Sequence, residues 1–256
     1  MRFSFPLLTS TALAALVLAL PPATAQAQQS GVPQTAPVNA DGRLPMPAAA
    51  PVLPPRLRPL FGGLDVAKAT ALLGATRLDD VARSFASRAE ASAFFTQKGY
   101  EYLGENKPDT ATYRFNLAWL LNPQNAEAYH GLGIIASRQP GSTDAAMALL
   151  TQALVLAPGN GGILTDLGTS CLIRYGQTKK KKDLAAAAGY LQRALTAEPT
   201  NAVAWQSMAR VHYHLEKYPA AWEAVHKAQA LNMTSIDFEF IPDLVAKQPD
   251  PQGIFK

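Results

Sequence analysis

The feature that most constrains this chain is a pattern of small and large apolar residues that comes back four times between Ser92 and Ser235. Gly99, Gly133, Gly168 and Ala209 hold one place in it, each with a large residue four positions earlier: Phe95, Tyr129, Leu164 and Trp205. The units follow one another at spacings of 34, 35 and 41 residues. Later in each unit come Ala111, Ala146, Ala187 and Ala221, then Ala118, Ala153, Ala194 and Ala228, and last Pro123, Pro158, Pro199 and Met233. The first of these alanines always stands 12 residues before the proline or methionine, and each proline stands 10 before the next glycine or alanine. Only the span from the Gly/Ala to the alanine changes, as 12, 13, 19 and 12. All length variation is thereby assigned to one loop, which describes a helical hairpin with two invariant arms and an elastic turn.

The spacing within the arms is helical. Phe95, Gly99 and Tyr102 are four and three apart, so they share one face of a helix, and Ala111, Phe115 and Ala118 do the same in the second arm. Small residues on such a face let a second helix approach closely, large against small. Asn125, Asn160 and Asn201 stand just before the next arm, where an N-cap side chain can accept from a free backbone N–H. Trp205 is predicted to fill the space between the arms of the last unit.

These residues resemble the tetratricopeptide-repeat family, whose period of about 34 residues carries an aromatic, a Leu-Gly pair, a second aromatic, two alanines and a proline in this order. Leu132-Gly133 and Leu167-Gly168 match the Leu-Gly pair, and Trp205 matches the leading tryptophan. The departures are Lys98 for the first leucine, Cys171 and His212 at the second aromatic place, and Met233 for the last proline. The resemblance covers 144 of 256 residues, as units 92–125, 126–160, 161–201 and 202–235. It implies an all-α fold, a right-handed superhelical stack of hairpins, whose concave side holds a peptide or another protein.

Outside the repeats the chain changes character. Arg2, an apolar run of 14 residues from Leu7 to Leu20, Pro21-Pro22 and the small-x-small sites at Ala23–Ala25 and Ala25–Ala27 read as a secretory signal peptide over 1–27. A membrane anchor would need about 18 or more apolar residues. The expected location is therefore periplasmic or secreted, with no transmembrane segment in the mature chain. Residues 28–59 hold eight of the 20 prolines and few large apolar side chains, which predicts a disordered linker. Residues 60–91 read as a capping helix or degenerate hairpin, with Leu64, Ala67, Ala71, Leu78, Ala82 and Phe85 at mainly helical spacing. Residues 236–256 read as a C-terminal capping helix, opened by Pro242, and a tail in which Ile254 and Phe255 pack back.

Catalytic chemistry finds no recognisable arrangement. Cys171 is the single cysteine, which excludes an intramolecular disulfide and fits a small core residue. His212 and His214 lie two apart, on opposite sides of a helix, and cannot easily share a metal with each other. Asp79-Asp80 has no second carboxylate pair. No cofactor, metal or catalytic residue is expected, and the chain is read as a non-enzyme. Lys179, Lys180, Lys181 and Lys182 on the elastic turn read as a solvated loop, or as a basic patch for an acidic partner. No aromatic is interleaved among them, and with the signal peptide this disfavours nucleic acid.

In the family this chain resembles, the stripe beside the packing face looks into the concave side. Here the stripe is Thr96, Tyr100 and Leu103; His130, Ile134 and Ser137; Thr165, Thr169 and Leu172; and Gln206, Arg210 and Tyr213. Tyr100, His130, Ile134, Gln206, Arg210 and Tyr213 are the groove candidates, with Tyr100, Arg210 and Tyr213 the preferred anchors because aromatic and arginine side chains dominate such contacts. Each of those three also suits an intramolecular packing role. The family's clamp for a terminal carboxylate is not matched, since its places hold Thr96, Tyr100, Gly131, Gly162 and Asp166. The sequence thus points to an adaptor binding a protein or peptide of a cell-envelope assembly; a glycan or small-molecule binder is the alternative. The leader makes one prediction: mature protein begins at Gln26 or Gln28 by N-terminal sequencing, and an intact Met1 on membrane-bound protein contradicts it.

Overall fold

The computed structural model describes residues 53–255, and no strand occurs among them. The segment read as a signal peptide, and the linker before Leu53, lie outside the described residues. Four antiparallel helix pairs form the body: α4 (Arg88–Gly104) with α5 (Pro108–Leu121), α6 (Ala126–Ser137) with α7 (Thr143–Leu156), α8 (Gly161–Thr178) with α9 (Lys181–Ala197), and α10 (Ala202–His214) with α11 (Tyr218–Leu231). Three short helices precede them, α1 (Leu60–Gly63), α2 (Val66–Leu73) and α3 (Ala75–Arg83), and α12 (Ile241–Lys247) follows. Among the described residues no helix is long and apolar enough to cross a membrane.

Large side chains pack into places where small ones leave room. Phe115 is fully buried, and a Cβ built on Gly99 or Gly131 would stand 2.6 or 2.2 Å from its ring. One phenylalanine therefore fixes the first pair internally and against the second. The first helix begins at Arg88, four residues ahead of the repeat pattern, because Ser87 accepts from Glu90 N–H at 3.0 Å while Glu90 accepts from Ala86 N–H at 3.0 Å. The Ser87 bond satisfies a donor that a helix start leaves free, and the Glu90 bond ties down the residue before the cap.

The third pair corrects the idea of an elastic loop. Its extra residues continue the helices: α8 and α9 run to 18 and 17 residues, and only Lys179 and Lys180 remain between them. Lys179 takes a left-handed φ of 54° and its N–H bonds to the Tyr175 carbonyl, while Asp183, 1% exposed, holds the turn through Arg174 and Thr178 at 2.9 Å each. The lysines thus lie on a tight turn and the first turn of α9.

Both ends of the stack are covered. The described end of the predicted linker is docked: buried Asn116 donates to the carbonyls of Arg56 and Arg58 at 3.1 and 2.9 Å and accepts from Leu60 N–H at 2.9 Å. Phe61, Ala69 and Leu78 then bury against Trp119 and Leu120. At the other end Ile236, Phe240, Ile241 and Leu244 pack on Trp222 and Val225. Asp250 accepts from the N–H groups of Gln252, Ile254 and Phe255 at 2.9 Å each and lies 2.9 Å from His226 Nε2, which brings the Phe255 ring onto Trp222. Phe255 packs back as expected, whereas Ile254 stays 49% exposed.

Trp205 does not fill the last unit as the sequence predicts. It is half-buried, its indole N–H donating to Pro199 at 2.8 Å and Lys227 Nζ lying 4.4 Å from its ring. Trp222 is fully buried there instead. Trp222→Ala should cost about 3–5 kcal/mol and Trp205→Ala about 1–2 kcal/mol in denaturant melts. A larger loss at Trp205 than at Trp222 would mean that the assignment of the buried tryptophan is reversed.

Candidate functional site

The first helices of the pairs, α4, α6, α8 and α10, are set in rotation by three asparagines. Asn125 accepts from Glu127 and Ala128 N–H at 3.0 and 3.3 Å and donates to Ser92 and Thr96 at 2.8 and 2.9 Å. Asn160 accepts from Ile163 N–H and donates to Glu127 Oε1, both at 3.0 Å. Asn201 accepts from Ala204 N–H at 2.9 Å and donates to Thr165 at 3.2 Å. Each asparagine caps its own helix and ties it to the unit before.

That rotation brings side chains from three units together. Tyr100 Oη donates to Glu127 Oε2 at 2.7 Å and lies 3.2 Å from His130 Nδ1, and His130 Nε2 lies 2.7 Å from Asp166 Oδ2. Burial lowers the pKa of His130, but the Asp166 and Glu127 carboxylates outweigh it and hold the ring at about 9. At neutral pH both ring nitrogens are protonated: Nε2–H donates to Asp166, and Nδ1–H donates to Tyr100, which in turn donates its own O–H to Glu127. The Glu127 carboxyl is held below its usual range, first by His130, with Tyr100 and Asn160 adding to it. Burial and the Glu127 charge push the Tyr100 phenol up, so it remains a donor. The His130 side chain is only 11% exposed, whereas Glu127 and Asp166 keep 42% and 36%. One buried cation thus sits between two carboxylates whose outer edges meet solvent, leaving the cluster with a net negative charge.

The predicted groove residues separate into two groups. Tyr100 and His130 belong to this cluster, and half-buried Ile134 packs beside them against the core that contains Leu132 and Ile135. In the fourth unit Arg210 is ion-paired with Asp237 and its guanidinium lies 5.4 Å from the Phe240 ring, while Tyr213 meets Phe240 edge-on at 5.3 Å. Both are engaged by the C-terminal cap. Gln206 is buried with neither its amide oxygen nor its nitrogen bonded. Lys179, Lys180, Lys181 and Lys182 are all exposed, at the far end of the third pair.

Sequence reasoning passed over Glu127 and Asn160 as members of this cluster, and named Asp166 only where a basic clamp is missing. The available signal was spacing: Glu127 precedes His130 by three residues and so shares its helical face. Among the described residues no group of three or more histidine, cysteine, aspartate or glutamate side chains is placed to hold a metal ion.

No protein-family model matches the sequence, and no curated protein matches it. Solved structures do. The Pseudomonas aeruginosa protein pilF is 24% identical, over 65% of this chain and 74% of that one, with a TM-score of 0.53. TTC0263, a thermophilic TPR protein in Thermus thermophilus, is 19% identical over 61% of this chain and 87% of its own, with a TM-score of 0.52.

Folding linkage checks the cluster. His130 has a folded pKa raised above its ordinary 6.5, so its contribution is complete below that value and is lost as pH rises through about 9. Wild-type stability should fall relative to His130→Gln between about pH 6 and pH 10, by up to about 3 kcal/mol before solvent screening of the two carboxylates. A difference that stays flat with pH would mean that the imidazole is neutral throughout.

Proposed function

From the tetratricopeptide-repeat fold of this chain, we infer a non-catalytic protein-interaction module that holds an extended segment of a partner protein along the face made by α4, α6 and α8. The observation that carries this reading is the convergence of Tyr100, Glu127, His130 and Asp166, from three successive units, into one partly open cluster. A segment laid across these helices meets a phenol edge, Ile134 and two carboxylate edges in turn. Such a lining suits an apolar anchor with a lysine or arginine beside it. Tyr100, His130 and Ile134 stay in the proposed site; Glu127 and Asp166 join it. Gln206, with its unbonded amide, is proposed as a continuation toward the fourth unit. Arg210 and Tyr213 are weaker candidates, because a partner would have to displace Asp237 and Phe240.

The leader-like segment 1–27 and the proline-rich segment after it support export, and on that reading the proposed partner is a component of a cell-envelope assembly. A glycan or small-molecule binder would require aromatic and amide side chains gathered in one pocket. The described cluster offers a single aromatic and charged groups instead, so the protein partner is the better reading.

The test is capture of partners from envelope extract by wild type and by Tyr100→Ala combined with Asp166→Asn, at a temperature where circular dichroism shows the variant, although destabilised, to be fully folded. A protein recovered by wild type should be lost or weakened at least tenfold in the double variant. Capture that survives it would place binding elsewhere, and retention only on a glycan resin would favour the alternative.

A further inference from the structure

The lengthened third pair overhangs the end of the fourth and makes a cleft of about 470 Å³, within the range of ordinary side-chain and ligand pockets of roughly 300–1,000 Å³. Its walls are Tyr175, Leu184, Ala185, Ala188, the half-exposed Leu215 and His214, whose ring lies 5.0 Å from that of Tyr175, and Lys181 stands at its edge. Glu216 is the one carboxylate in the lining. Lys179 reaches over the Tyr175 ring, its Nζ 5.6 Å from the centroid. None of Lys179, Lys180, Lys181 and Lys182 is ion-paired among the described residues, and the nearby Asp183 carboxylate is occupied by Arg174 at 2.8 Å. The cleft therefore joins a largely apolar floor to an edge where lysines outnumber the one carboxylate, Glu216.

A second, separate surface carries the opposite character. The last element of a solenoid normally presents a polar outer side. Here Phe238 is 57% and Ile254 49% exposed, with Phe238 resting edge-on against Phe255 at 6.4 Å. Phe238 is followed by the exposed carboxylates of Glu239 and Asp243, neither of which is ion-paired among the described residues. Asp237 is already paired with Arg210. An aromatic knob beside two exposed acids is the complement of an apolar cleft edged by Lys181, with Lys179 reaching over its Tyr175 wall.

We propose that Phe238 of one copy seats in the α8–α9–α10 cleft of a second copy, with Glu239 and Asp243 meeting the lysines of that cleft. The contact joins two different surfaces, so copies either pair reciprocally or link head to tail. It is a small contact, below the roughly 1,200 Å² of stable complexes, and its charges are exposed. Association is therefore weak and salt-sensitive. The proposal does not use the Tyr100–His130 cluster, and its failure leaves the partner-binding reading untouched.

The test is analytical ultracentrifugation of the purified chain over a concentration series reaching the high micromolar range. Wild type should self-associate at about 50 mM salt and much less at about 500 mM, where screening is several-fold shorter-ranged. Phe238→Ala, at an exposed position, should weaken association at least tenfold with unchanged melting. Lys181→Glu with Lys182→Glu should do the same, as should Glu239→Lys with Asp243→Lys. Mixing these two charge-reversed proteins should restore association between them, an outcome that a merely misfolded variant cannot give. A wild type that stays monomeric throughout, or self-association indifferent to all three variants, overturns the proposal. So does a monomer that cosediments with phosphatidylglycerol vesicles through its lysines, which would assign them to an anionic surface.

Discussion

The interaction on which the rest of this structure depends is the double use of one asparagine at each joint between units. Its side-chain oxygen takes the free N–H groups of the helix it begins, and its amide donates to the unit before: Ser92 and Thr96 from Asn125, Glu127 from Asn160, Thr165 from Asn201. Capping alone would tolerate aspartate. The second bond would not, because aspartate has no donor, and at Asn160 it would set a carboxylate beside Glu127. The joint therefore fixes the helix start and its rotation together. Rotation decides which stripe of each first helix is open.

Much of the architecture was legible because packing leaves a periodic trace. Gly99 facing Phe115 and Gly168 facing Leu191 are spacing facts before they are contacts, and a helix pair that depends on them cannot hide them. Three features were not legible, each for a physical reason. The extra residues of the third unit could enter a loop or lengthen helices, and what decides is the bond of half-buried Arg174 to buried Asp183, nine residues apart, which periodicity does not weigh. Trp205 and Trp222 are equally large, and only the arrival of the C-terminal cap over Trp222 determines which is covered. Docking of the end of the linker turns on the single buried Asn116, a polar residue on a helix face that pattern reading treats as apolar.

The same limit explains the site. A stripe of residues can be read from helical periodicity, so Tyr100 and His130 could be placed on neighbouring stripes that meet in the cluster. Pairing across helices depends on relative rotation, which the asparagine joints set, so Glu127 and Asp166 were not recognised as partners. The cap engages Arg210 and Tyr213 through Asp237 and Phe240, a contact between elements that no within-repeat spacing encodes. A buried imidazolium unpaired in this setting would be costly, and flanking it with two carboxylates is what makes it tolerable. The cluster is consequently a structural element of the stack as well as its most chemically distinctive surface.

Those two roles need not compete. In a stack of repeats each unit touches chiefly its neighbours, so stability is close to a sum of unit and interface contributions, and a weak joint is weak locally. The joints between the first three units are made partly of polar bonds whose outer carboxylate edges face solvent at Glu127 and Asp166. A segment laid across α4, α6 and α8 would add contacts that exist only while all three helices keep their mutual rotation. Its binding energy would then appear as added stability of the joints themselves, since whatever binds the folded state alone stabilises it. A face built from inter-unit bonds is therefore suited to recognising length and register along a partner chain, whereas a pocket within one unit would recognise a single side chain.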